Sequence, residues 1–156
     1  MKKALFVLAI VAVALIGLTV TAYAATSDPV TVTGRLNPKI VVSVDNTTVA
    51  FGTFDPDVAQ EDLAAFTATV KSNKSYDYSV DAPAAFTGGS TPAINHLEWD
   101  RGSGYAAFAA GANDFLNSEP KTDGAAYTYD LRLTFGYDED PDVDYTADLV
   151  PTAVQE

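Results

Sequence analysis

The run Asp138-Glu139-Asp140-Pro141-Asp142-Val143-Asp144 is the densest group of ionisable side chains in the sequence. Asp138, Asp140, Asp142 and Asp144 fall at every second position, and Asp148 follows. Carboxylates this close repel one another, so the segment suits either full hydration or a hard cation. Calcium is bound by roughly six to eight oxygens, with carboxylates as the usual donors. The expectation is a calcium ion held by Asp138, Asp140, Asp142 and Asp144; the plainer reading is a solvated acidic loop. The run is not an EF-hand, because Val143 stands where that loop needs glycine and Leu149 where it needs glutamate. Asp55, Asp57, Glu61 and Asp62 form a second, looser acidic set.

His96 is the only histidine, so a Ser-His-Asp arrangement would have to use it. Ser90 and Ser103 are nearby, but neither lies in a nucleophile-elbow pattern. Acids are plentiful enough for a glycosidase pair, but nothing in their spacing places one. With no catalytic motif, the expectation is a protein that is not an enzyme. Trp99 and Tyr105 flank Asp100-Arg101-Gly102-Ser103-Gly104 and could stack on a sugar ring; the plainer reading makes Trp99 a core residue. That pair supports a second function class, a secreted monomeric module that binds polysaccharide or adheres to a surface.

The elements that must carry these residues are strands. In Ala126–Tyr137, Tyr127, Tyr129, Leu131, Leu133 and Phe135 alternate with Thr128, Asp130, Arg132 and Thr134. Side chains alternate across a strand, so one face is apolar and the other polar. Shorter alternations predict strands at Val30–Leu36, Ile40–Val44, Thr47–Phe54, Phe66–Val70, Tyr76–Val80, Ile94–Trp99 and Val143–Val150. Val58–Ala65 reads as an acidic loop with at most one helical turn, and Tyr105–Leu116 as either strand or short helix. Pro151 is expected to end the last strand or set it at an edge. Eight or nine short strands without a long helix predict an all-β fold. The expected form is a single antiparallel β-sandwich, immunoglobulin-like or jelly-roll-like.

The first residues carry an address. Lys2 and Lys3 precede the apolar run Ala4–Val20, and Ala22-Tyr23-Ala24 supplies small residues for cleavage. Residues 1–24 therefore read as a secretory signal peptide. Left uncleaved, the run is just long enough to anchor in a bilayer. Cleavage removes both lysines and moves the formal charge from −12 to −14. Such a surface repels nucleic acid and anionic membranes and suits solubility or divalent cations, while the signal peptide makes the expected location secreted, extracellular or at the cell surface. There is no cysteine, so an exported domain here must rely on packing, a bound ion or its neighbours.

Residues 25–37 form a polar lead and one short alternating segment, set apart by Asn37-Pro38 from a domain spanning 38–156. Such a segment either folds as an ordinary first strand or adds itself to an open sheet edge of a neighbour. In the second case the backbone pairs and Val30, Val32 and Leu36 fill apolar slots. Each copy completing the next is a heterologous contact and propagates as a homopolymer.

The run Val49–Val80, VAFGTFDPDVAQEDLAAFTATVKSNKSYDYSV, resembles a pattern in secreted β-sandwich fibre proteins. There a V-x-F-G-x-x-x-P segment precedes a Thr/Val-rich strand, a turn and a Tyr-containing strand. Similar patterns occur in spore-coat-U-type pilins. The exported, cysteine-free sandwich is also similar to TasA-type matrix fibres, archaeal bundling pili and cannulae. The resemblance implies a filament or pilus subunit whose N-terminal strand completes the next subunit, in some cases with calcium at subunit contacts. By position, it makes Val30–Leu36 the donor.

Overall fold

The computed structural model describes residues 30–156; the expected signal peptide and residues 25–29 lie outside them. Among the described residues, eight strands form two antiparallel sheets. In chain order they are β1 (Ile40–Val44), β2 (Gln60–Ser72), β3 (Tyr76–Ala82), β4 (Leu97–Asp100), β5 (Ala106–Ala107), β6 (Gly111–Glu119), β7 (Thr122–Leu133) and β8 (Val150–Gln155). The first sheet has the order β1-β2-β7-β4-β5 and the second β6-β3-β8. The only helical element among the described residues is a 3-10 turn at Ile94–His96. The all-β, antiparallel expectation is met.

The period-two pattern of β7 decides where the core sits. Tyr127, Tyr129, Leu131 and Leu133 are buried, and the residues between them are not. They share one apolar cluster with Phe66, Ala68 and Val70 of β2 and with Tyr76, Tyr78 and Val80 of β3, so both sheets contribute to one core. One ring pair spans the sheets, Tyr78 on Tyr127 at 4.2 Å, and another lies within the first sheet, Phe66 on its β7 partner Tyr129 at 4.8 Å. Offset stacks of this kind contribute about 0.5–1.5 kcal/mol beyond their buried area.

Several boundaries differ from the sequence reading. Thr47–Phe54 is not a strand: Gly52 takes φ +70, which breaks an extended run. Its apolar residues Val49, Phe51 and Phe54 still pack against the core. Val58–Ala65 is not a loop throughout, because β2 already starts at Gln60 and pairs with Leu133 of β7. A bulge between Asp62 and Phe66 hides the periodicity; Ala64 sits there at φ +53, its N–H donating to Asp130 Oδ1 at 2.6 Å. Tyr105–Leu116 resolves into β5 and the start of β6, not a helix.

The final strand runs through Pro151 instead of stopping at it. Glu156 N–H donates to Ser75 O, and β8 pairs with β3 in the same register, so alternate residues 150, 152 and 154 face β3. Pro151 therefore has its nitrogen on the free edge, where no donor is missed. Within Val143–Val150, Tyr145, Ala147 and Leu149 do pack on the core, but before Val150 enters β8 the one pairing among the described residues is the bridge Thr146 to Thr87. Val30–Leu36 is likewise not a strand: residues 30–39 carry neither strand nor turn.

Candidate assembly site

Val30, Val32 and Leu36 are 88%, 89% and 81% exposed. The described part of the chain therefore contains an alternating apolar segment whose side chains meet almost nothing. Downstream of it, one amide side chain fixes the approach to β1. Asn73, in the turn between β2 and β3, donates to Asn37 O at 2.7 Å and accepts from Lys39 N–H at 2.8 Å. Asn37 and Lys39 are thereby tied to that turn, and residues 37–39 form no turn of their own.

The sheet edges decide where an added strand finds partners. Four strands are edges: β1 and β5 of one sheet, β6 and β8 of the other. Exposed edges invite pairing with other chains, and proteins blunt them with short strands, bulges, inward charges or proline. β5 is two residues long. β6 is broken by two register shifts against β3, with Asp114 at φ +48 and Ser118 at φ +55. β8 carries Pro151 on its free side. β1 has none of these devices.

The register of β1 shows what its edge offers. Asp45 N–H donates to Thr67 O and Lys39 O accepts from Asn73 N–H, so residues 39, 41, 43 and 45 make the ladder with β2. Ile40, Val42 and Val44 then turn both N–H and C=O away from the sheet. Their side chains pack on the core yet stay half-buried, while Val41 and Ser43 face solvent. Gln155 of β8 ties in beside this edge, donating to Lys39 O at 2.8 Å and lying 2.9 Å from Ser72 Oγ.

The opposite side of the fold is closed by charge. Asp100 Oδ1 accepts N–H bonds from Gly102, Ser103 and Gly104 at 2.6, 2.8 and 2.9 Å, shaping the loop that delivers Arg101. Arg101 Nη2 donates to Asp114 Oδ1 at 2.9 Å, and Nε lies 2.5 Å from Oδ2 without aligning its N–H on it. The Asp114 side chain is 7% exposed. Tyr129 donates to the same carboxylate at 2.5 Å and sits 3.2 Å from the Tyr78 hydroxyl. Burial, aided by these bonds, raises the Tyr129 pKa far above its usual value, and burial pushes Tyr78 up to about 12. Burial opposes the Arg101 charge, but Asp114 outweighs it and the guanidinium pKa rises. Arg101 also lies over the Tyr127 ring, 5.4 Å from its centroid. This network was not foreseen from the sequence; the signal for it is an aspartate followed by glycines two and four residues later, which marks a carboxylate-centred turn.

The other candidates fall elsewhere. Asp138, Asp140, Asp142 and Asp144 are exposed, and among the described residues no group of three or more His, Asp or Glu side chains converges as a metal would need. Within that loop Glu139 is engaged instead, accepting from Gly136 N–H at 2.7 Å and facing His96 Nε2 at 3.6 Å. His96 Nδ1 lies 2.9 Å from Thr134 O. Ser90 Oγ contacts the Tyr145 hydroxyl and Ser103 N–H is held by Asp100, so neither serine is turned to the histidine. Asp57 caps a tight turn at φ +62, with its N–H on Phe135 O, while Glu61 lies on β2 near Arg132.

Trp99 and Tyr105 do not form one platform. Trp99 faces the core, 6.4 Å from Phe108 and 6.1 Å from Tyr129. Glu98, its neighbour on the other face of β4, binds Arg132 Nε at 2.6 Å. Arg132 in turn lies over the Tyr105 ring, 4.1 Å from its centroid. Alternation thus puts the two rings on opposite faces of the sheet. No protein-family model matches this chain, and no curated protein matches it.

Proposed function

We propose that this protein is a structural subunit of an extracellular filament or surface assembly, and that it polymerises by donating residues 30–36 to a neighbouring copy. One observation carries the reading: Val30, Val32 and Leu36 are almost fully exposed on a segment that forms no strand of its own. Burying each contributes about 1.5–3 kcal/mol. No proline interrupts residues 30–37, so every N–H of the segment is free to enter a ladder. The signal-like N-terminus and the absence of cysteine support an exported protein stabilised by its neighbours. Calcium belongs to this reading through the exposed carboxylates of Asp138, Asp140, Asp142 and Asp144, which are open to a cation shared between copies.

Deleting residues 25–36 from the secreted protein tests the reading by negative-stain electron microscopy and sedimentation, with calcium and with chelator. Filaments from the full chain and monomers from the truncated one are the expected pair. Undiminished assembly of the truncated protein would remove the donor role. Filaments indifferent to chelation would remove calcium and leave the donor.

A further inference from the structure

We infer that β1 is the acceptor edge, and that residues 30–36 of a second copy pair with it in parallel. The inference rests on the donor-strand reading and adds the place and direction of the contact.

Of the four edge strands, β1 alone is regular, free of proline on its open side and free of inward charge. Its open side presents the N–H and C=O of Ile40, Val42 and Val44. The same three residues keep half-buried side chains on the core face, so a strand laid beside them finishes both the ladder and the core. The incoming segment has matching periodicity, with Val30, Val32 and Leu36 on one side and Thr31, Thr33 and Arg35 on the other.

Charge chooses the direction. An in-phase parallel register with a ten-residue offset sets Val30 beside Ile40, Val32 beside Val42 and Arg35 beside Asp45. Arg35 and Asp45 both point to the solvent face there, and they are opposite in sign. Asp45 accepts from Thr67 N–H at 2.6 Å, and the Thr67 backbone holds its carboxyl below the usual range, so it is charged at neutral pH. The antiparallel register with Val32 beside Val42 sets Arg35 against Lys39, which repels. Residues 29–44 contain Arg35 and Lys39 and no acid in a chain of net charge −12, so the donor is drawn to acidic copies generally.

The chain has no cysteine, which permits a clean cross-linking test on the full secreted protein. Two double variants are made, Thr31→Cys with Val41→Cys and Thr33→Cys with Ser43→Cys. All four positions are solvent-facing. After assembly and mild oxidation, both variants are expected to give ladders of covalent multimers on a denaturing gel, and the single variants none. A third variant, Val42→Pro, removes an N–H that faces outward and is expected to cut assembly at least tenfold while lowering the melting temperature less than Val41→Pro, which removes an N–H facing β2. Linkage of Thr31→Cys with Ser43→Cys, as the antiparallel register with Val32 beside Val42 would give, or linkage in the second pair alone, as the antiparallel register shifted by two residues would give, overturns the parallel pairing. Strong dimers from Ser43→Cys alone overturn it too, because β1 would then be pairing with β1 of the other copy. If deletion of residues 25–36 abolishes filaments while neither pair links and Val42→Pro still assembles, β1 is not the acceptor and the donor reading stands. If the deletion leaves filaments intact, the donor reading falls and this assignment with it.

Discussion

The two lateral sides of this fold are finished in opposite ways. On the β5 and β6 side, a two-residue strand, two bulges and the buried Arg101–Asp114 pair close the edge from within the chain. On the β1 side, five regular residues leave three pairs of backbone groups facing outward and three apolar side chains half covered. A fold that blunts one edge so thoroughly has the means to blunt both. A bare edge is where another chain could pair, and a sealed one is where the single copy draws its stability.

The comparison breaks most easily at Asp114. Replacing it with alanine leaves Arg101 charged and partly buried and takes the acceptor from Tyr129, so a loss of about 3–5 kcal/mol in unfolding free energy is expected by urea titration. A loss under about 1 kcal/mol would mean that the sealed side is held by packing alone. Tyr129→Phe removes only the hydroxyl and is expected to cost about 1–2 kcal/mol.

The buried tyrosines also set a pH limit. Tyr78 is raised from 10.0 to about 12 in the folded chain, and burial raises Tyr127 and Tyr129 as well. An unfolded chain sheds these protons near pH 10, whereas the folded one keeps them. Stability is therefore whole below about pH 10 and falls as pH climbs through 12. A melting temperature flat across that window contradicts the buried network.

On the open side, adjacent proline substitutions give a sharper contrast. Val41→Pro deletes an N–H that faces β2 and is expected to destabilise the single copy by about 1–2 kcal/mol. Val42→Pro deletes one that faces outward, and its effect on the single copy is expected to stay below about 1 kcal/mol. Equal losses would mean that the register of β1 has been misassigned.

How much of this was legible in the sequence follows from which signals are local. Strands with unbroken alternation, such as Tyr127 to Leu133 and Ile40 to Val44, read directly because each residue reports its own face. Gln60–Ala65 did not, because its pairing with β7 comes from sixty and more residues away and its bulge at Ala64 scrambles the period. Val143–Val150 misled in the other direction: its alternation reports contact with the core, and core contact does not require a ladder. The exposed Val30 and Val32 were flagged by pattern alone. The open edge of β1 was not, since edges exist only once the strand order is known. Arg101 and Asp114 are thirteen residues apart and carry no shared motif, so their pairing is a product of topology.

Hydrogen exchange at the amides of Ile40, Val42 and Val44 tests the account most directly, compared between dilute single copies and assembled material of the full chain. Fast exchange is expected in the single copy and strong protection on assembly, with Val41 and Ser43 protected in both. Equal exchange of the three amides in both states, in material that has demonstrably assembled, would contradict it.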